Sequence, residues 1–228
     1  MRVDLGVIGS DSIEIERFCM IAGKLGFSGL STTIQQDTPV KILGQIEVYR
    51  RVDIRGKTTP SVRKQIDKVR KRAVIVSIEI GPIDSTNWAV EDNRIDLLTV
   101  NPRGEYTLRA TTARMAASSD IALEIQIAPL LQATGLNRSK ILKTYRETIA
   151  VASQNDMRIL LTSGATTPIG LRSPVAITYV GILLGMEKQV SNNAITKFPA
   201  EIVQRNLKKL EPDYVNPSVK VLQRRKKL

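Results

Sequence analysis

The sequence contains no histidine and a single cysteine, Cys19. Histidine is the usual general base near neutral pH and a common ligand for zinc and iron. Its absence excludes Ser-His-Asp and Cys-His nucleophilic sites and every histidine-containing zinc site. One cysteine excludes an internal disulfide and a thiolate metal site. Aromatic residues make up only 4% of the chain, so aliphatic side chains must fill the core. No apolar stretch approaches the roughly 18–20 residues of a membrane span. The most apolar run, Val175 to Leu184, is about half that length and reads as a buried helix. The start, Met1-Arg2-Val3-Asp4-Leu5, carries charge inside its first apolar run and does not read as a signal peptide. These absences together point to the cytoplasm and to no membrane partner.

What is abundant is positive charge. Lys and Arg number 34 against 22 Asp and Glu, a net charge of +12. Such a chain repels itself and is attracted to phosphate polymers. The densest stretch runs from Arg50 to Arg72. It holds Arg50, Arg51, Arg55, Lys57, Arg63, Lys64, Lys68, Arg70, Lys71 and Arg72 against only Asp53 and Asp67. A second cluster, Arg224, Arg225, Lys226 and Lys227, closes the chain. Arg172 stands just before a helix start, where free amides and the helix dipole attract anions. The candidate nucleic-acid contacts are therefore Arg50, Arg51, Arg55, Lys57, Arg63, Lys64, Arg172, Arg224, Arg225, Lys226 and Lys227. With few aromatics to stack on bases, contact should be mainly with phosphates.

A length of 228 residues suits one well-buried core. Seven short apolar runs read as strands, near Val3–Ile8, Gly29–Ile34, Ile46–Ile54, Val74–Ile80, Ile95–Val100, Ala122–Ile127 and Arg158–Thr162. Runs this rich in Val, Ile and Leu suit parallel strands covered on both faces. Helical patterns separate most of them. Asp11 and Glu14 suggest a capping box for a first helix. Residues Val62 to Arg72 form a basic helix candidate, and Asn137 can cap a long helix. Ser173-Pro174 is a strong helix start and Gly185 a good stop. A last helix is expected near Pro199. Repeated strand–helix units imply a parallel α/β sheet, either open or closed into a barrel. Residues 1–210 form the expected single domain and 211–228 a basic tail.

Two nucleotide signatures fail on spacing. Gly56-Lys57-Thr58 has Arg51 where a phosphate-binding loop needs its first glycine. The glycines from Gly23 to Gly29 do not match a dinucleotide fingerprint, and more simply end a helix and open a strand. Four acids inside strand-like runs, Asp4, Glu79, Asp96 and Glu124, could meet at the strands' carboxyl ends and hold Mg²⁺. That would allow a metal-assisted phosphoesterase. The competing reading pairs each acid with an arginine or a backbone amide.

The succession of segments resembles a known family. Leu123-Glu124-Ile125 is followed by a long helix, then by Arg158-Ile159-Leu160-Leu161-Thr162-Ser163-Gly164-Ala165. Next come Leu171-Arg172-Ser173-Pro174 and an apolar helix ending Gly181-Ile182-Leu183-Leu184-Gly185-Met186. With Val3-Asp4-Leu5, the run Val48 to Ile54 and the end from Pro199 to Asn206, this order is similar to protein component 3 of archaeal ribonuclease P. The family is homologous to a eukaryotic RNase P and MRP subunit. The resemblance implies a TIM-barrel-like fold related to the PHP phosphoesterases, with about seven strands and surrounding helices. It implies an RNA-binding subunit with no catalytic residue and no metal or cofactor of its own. Mg²⁺ would act through the catalytic RNA. The implied partners are ribonuclease P RNA, the small ferredoxin-like component 2, the other ribonuclease P proteins and, indirectly, precursor tRNA. PHP enzymes bind metals largely through histidines, and the first strand here, Val3-Asp4-Leu5-Gly6-Val7, has none.

Overall fold

The computed structural model describes residues 1–9, 12–34, 36–211, 214–216 and 219–220, with backbone only at 12–13, 214–216 and 219–220. Its strands are β1 Val3–Val7, β2 Gly29–Thr32, β3 Val40–Leu43, β4 Ile46–Ile54, β5 Ile75–Glu79, β6 Leu97–Thr99, β7 Ala122–Gln126 and β8 Ile159–Thr162. The interleaved helices are α1 Ser12–Lys24, α2 Thr59–Val69, α3 Ile83–Glu91, α4 Ala110–Ser118, α5 Ala128–Gln132, α6 Gly135–Gln154, α7 Pro174–Leu183 and α8 Lys188–Leu210. A short antiparallel pair, β9 Tyr214–Asn216 and β10 Val219–Lys220, follows.

Seven strands pair in parallel in the order β1-β2-β4-β5-β6-β7-β8. The sheet curls into a nearly closed α/β barrel. The seam between β8 and β1 carries no strand ladder among the described residues. It is bridged instead by Ile8 N–H donating to the Ala165 carbonyl at 2.8 Å. The Asp4 carboxylate also accepts from the Ser163 amide at 3.1 Å and the Gly6 amide at 3.0 Å. Gly6 is required there, because a Cβ would collide with the Thr162 side chain.

Aliphatic side chains fill two regions. The larger lies between barrel and helices, with Phe18, Ile66, Leu98, Leu123, Ile149 and Leu161 among its members. The smaller joins Val3, Leu5, Tyr49, Ile75, Leu97, Ala122 and Leu160 to Ile202 and Val203 of α8. Helix α8 thus covers the amino-terminal end of the barrel. Polar contacts fasten it there: Asn206 Nδ2 donates to the Val74 carbonyl at 2.9 Å, and Arg205 reaches Asp96 at 3.0 Å and Asp120 at 2.7 Å.

All seven strands expected from the sequence are present, and several other expectations need correction. Strand β3, an antiparallel partner of β4, is not among the expected elements, nor are α3, α4 and α5. The long helix α6 starts at Gly135 with Thr134 at its cap position, so Asn137 lies inside it. The last helix begins at Lys188, and Pro199 lies buried within it. Packing on α7 at one end and across the barrel at the other outweighs the missing amide of one proline. Asp11 lies outside the described residues. Ser173 caps α7 as expected, its hydroxyl accepting from the Ala176 amide at 3.3 Å.

Candidate nucleic-acid interface

In a parallel barrel the loops that follow the strands gather at the carboxyl end, where enzymes of this architecture place their chemistry. Here the space beneath that mouth is occupied by Arg51. Its side chain is fully buried. Nη1 and Nη2 donate to the two Glu124 oxygens at 2.5 and 2.6 Å, Nε to Asp53 at 2.6 Å and Nη1 also to the Leu5 carbonyl at 2.5 Å. Thr99 and Thr162 add hydroxyl hydrogen bonds to Glu124 at 2.6 and 2.9 Å, and Ser77 bonds to Thr99.

The network explains its own protonation. Burial alone would raise the Glu124 carboxyl. The Arg51 guanidinium, helped by the two threonines, overcomes that and holds it below its ordinary value. Arg51 would lose basicity by burial but is pushed upward by Glu124 and Asp53. Among the described residues Asp4 has no such cation. Burial pushes its carboxyl up against the hydrogen bonds from Ser163 and Gly6, and its Oδ2 has no hydrogen-bond partner among them.

The four strand carboxylates do not converge. Glu124 belongs to the arginine pair, and Asp4 sits in the β8–β1 seam. Asp96 lies just before β6 at the opposite end, bound by Arg70 at 2.6 Å and by Arg205. Glu79 is exposed and accepts from Asn101 at 2.8 Å. Among the described residues no group of three or more His, Cys, Asp and Glu could hold a metal ion. Three of the four acids are neutralised or hydrogen-bonded by arginine and backbone. A small cavity of about 70 Å³ remains above the pair, lined by Asp53, Arg55, Ser77, Glu79, Thr99 and Gln126 among others.

The candidate RNA contacts separate into groups. Arg51 is removed from the set, because its guanidinium is committed inside the barrel and is out of reach of phosphate. Alternation along β4 sends one of two adjacent arginines inward and leaves Arg50 half-buried, donating to the Gln36 carbonyl at 3.1 Å. Arg55 and Lys57 are exposed in the loop leaving β4 at the mouth, and Arg63 and Lys64 are exposed on α2 just beyond it. Arg172 is exposed in the loop after β8, on the far side of the mouth, and donates to the Ile169 and Leu171 carbonyls. Arg224, Arg225, Lys226 and Lys227 lie outside the described residues. Three exposed arginines at the same end were missed: Arg103 and Arg109 after β6, and Arg138 in the first turn of α6. They are isolated in sequence, and only their place in loops that follow strands could have marked them.

The fold and the mouth define a class: a (β/α) barrel of the enzyme type whose mouth is plugged by an ion pair and bordered by exposed cations. Comparison with known proteins narrows it. Residues 1–210 match the family described as RNase P subunit p30, and the chain belongs to that family. It is 27% identical over 216 residues to ribonuclease P protein component 3 of Methanosarcina barkeri, covering 92% of this chain and 90% of that one. The corresponding protein of Methanothermobacter thermautotrophicus is 25% identical over 215 residues, covering 88% of each. The fold is similar to that of a chain in a cryo-EM structure of archaeal ribonuclease P with mature tRNA, with a TM-score of 0.82 at 18% identity over 99% of this chain and 100% of that one. An amidohydrolase crystal structure aligns at a TM-score of 0.53 and 9% identity, over 91% and 75% of the two chains. The chain is accordingly a protein subunit of ribonuclease P.

Proposed function

We propose that this subunit is non-catalytic and binds the ribonuclease P RNA, which carries the Mg²⁺-dependent removal of 5′ leaders from precursor tRNA. The observation that carries this reading is Arg51. A guanidinium bound to Glu124 fills the place beneath the mouth where a barrel enzyme would gather its reacting groups, and it occupies both Glu124 oxygens. Around that plugged mouth, Arg55, Lys57, Arg103, Arg109, Arg138 and Arg172 are exposed in loops or first turns. Arg63 and Lys64 extend the basic surface along α2. Basic side chains on a rigid frame suit phosphate contacts that position an RNA. Component 2 and the other ribonuclease P proteins are the proposed protein partners, and precursor tRNA an indirect one. The tail cations from Arg224 to Lys227 are proposed as further phosphate contacts.

The test is reconstitution with cognate RNA and proteins. The subunit should bind the RNA with an affinity that falls steeply with salt. Leaving it out should raise the magnesium or protein concentration needed for cleavage. A subunit that neither binds the RNA nor alters that requirement overturns the reading.

A further inference from the structure

The composition of α7 predicts a buried helix, and half of it is. Pro174, Ile177, Thr178 and Gly181 are buried, with α7 packed on β8 and α8. A Cβ on Gly181 would collide with Ser191 of α8. The other face is open. Val175 is 65% exposed, Tyr179 62% and Leu183 53%. A spacing of four residues places them in one row along the helix. Ile169, in the turn before the helix, is 83% exposed. Beside the row runs a groove of about 450 Å³ lined by Val175, Thr178, Tyr179, Lys188, Gln189 and Asn192. Burying a large apolar side chain is worth roughly 1.5–3 kcal/mol, so three in a row form the centre of an interface rather than scattered surface residues.

The border of this row is mainly basic. Lys188 lines the groove. Arg146 donates to the Leu183 carbonyl at 2.8 and 3.2 Å, placing its charge at the helix's carboxyl end. Glu187 is the neighbouring acid, and Glu147 next to Arg146 is already paired with Lys143 at 3.8 Å. This charge decides among occupants. A second copy packed on the same face would set Arg146 and Lys188 against themselves. The chain's own tail, with Arg224 to Lys227, would meet the same repulsion. RNA would satisfy the border but leave Val175 and Leu183 against charged phosphates.

We propose that this face docks a protein subunit presenting an apolar row bordered by carboxylates. The inference rests on the reading of the chain as a ribonuclease P subunit that works beside other proteins. It assigns the protein contact to α7 and the start of α8, apart from the basic loops and α2 assigned to RNA.

A photo-crosslinking benzoylphenylalanine at position 179 tests it in a particle reconstituted from the cognate RNA and the ribonuclease P proteins. The expected product joins this chain to one acidic protein subunit. A crosslink to RNA, to a second copy or to the tail overturns the proposal. So does no crosslink in a particle that assembles and cleaves precursor tRNA. Failure to enter the particle at all, read by co-migration with the RNA, overturns the subunit reading and this surface with it. Two variants give a second readout. Tyr179→Asp and Lys188→Glu should each weaken capture of that subunit at least tenfold, with melting temperature and RNA affinity unchanged. Unaltered capture would equally overturn the assignment.

Discussion

Arg51 and Glu124 lie 73 positions apart in sequence and meet inside the barrel through two parallel hydrogen bonds of 2.5 and 2.6 Å, with both side chains fully buried. Removing one member of a buried pair strands the other's charge, which costs about 3–5 kcal/mol. Replacing both by apolar groups of similar volume strands neither charge of the pair, and leaves Asp53, the Leu5 carbonyl and the Thr99 and Thr162 hydroxyls each short of one partner. Glu124→Gln should therefore lose several kcal/mol in urea denaturation, and Arg51→Met combined with Glu124→Leu much less. A double variant as unstable as the single one would show that the charge pairing is not what holds these strands together.

Acid should act on the buried carboxyls of Glu124 and Asp4 in opposite senses. The folded-state pKa of Glu124 is depressed below 4.5. Its stabilising contribution is thus complete above that value and is lost as pH falls through the folded value. For Asp4 the folded-state pKa is raised above 3.8. Its burial as a carboxylate weakens the fold progressively as pH rises from 3.8 through the folded value. Glu124→Gln should be most harmful at neutral pH and converge on the parent protein in acid. Asp4→Asn should gain on the parent as pH rises. Denaturation curves from acid to neutral pH check this, and a loss of stability in Asp4→Asn that grows with pH contradicts it.

Much of this architecture is legible in the sequence. The seven barrel strands announce themselves as short Val-, Ile- and Leu-rich runs because each is covered on both faces, and Ser173-Pro174 marks α7 through local cap chemistry alone. Helix α8 reads too short in the sequence because a proline usually interrupts a helix, and its continuity depends on packing at both ends. Strand β3 is half-exposed and two of its four residues, Lys41 and Ile42, face solvent, so it lacks the signature of its neighbours. The site is less legible. Adjacent Arg50 and Arg51 look alike in a charge count, yet strand alternation sends only Arg51 inward, and its partner Glu124 comes from a distant segment. Arg103, Arg109 and Arg138 escape a search for runs, since folding alone brings them to one end of the barrel.

The exposed cations should control the salt dependence of RNA binding. Removing one cation from a phosphate lowers the slope of log affinity against log salt by about 0.7–0.9. Arg55→Gln with Lys57→Gln should flatten the slope by one to two such steps, whereas Arg51→Met should leave it unchanged in protein that remains folded. Filter binding at several salt concentrations measures both. A flattened slope in Arg51→Met alone would mean that the buried guanidinium reaches the RNA.

The α7 cap should be a local stability element. Ser173→Ala removes the hydroxyl that accepts from the Ala176 amide and should cost about 1 kcal/mol. Ser173→Asp should retain most of that. Thermal denaturation of the two variants separates a capping role from one in backbone geometry, because both would otherwise fall together.

The central claim is that the barrel supports an RNA catalyst without supplying catalytic groups. Its most direct test is cleavage of precursor tRNA by the purified chain, by the cognate RNA, and by the two with the remaining ribonuclease P proteins, all in Mg²⁺. The chain alone should leave the precursor intact. The assembled particle should cleave it, and should still do so when Arg51→Met and Glu124→Leu are combined in a chain that folds. Leader removal by the chain without RNA, abolished by that double substitution while the fold persists, would contradict the claim.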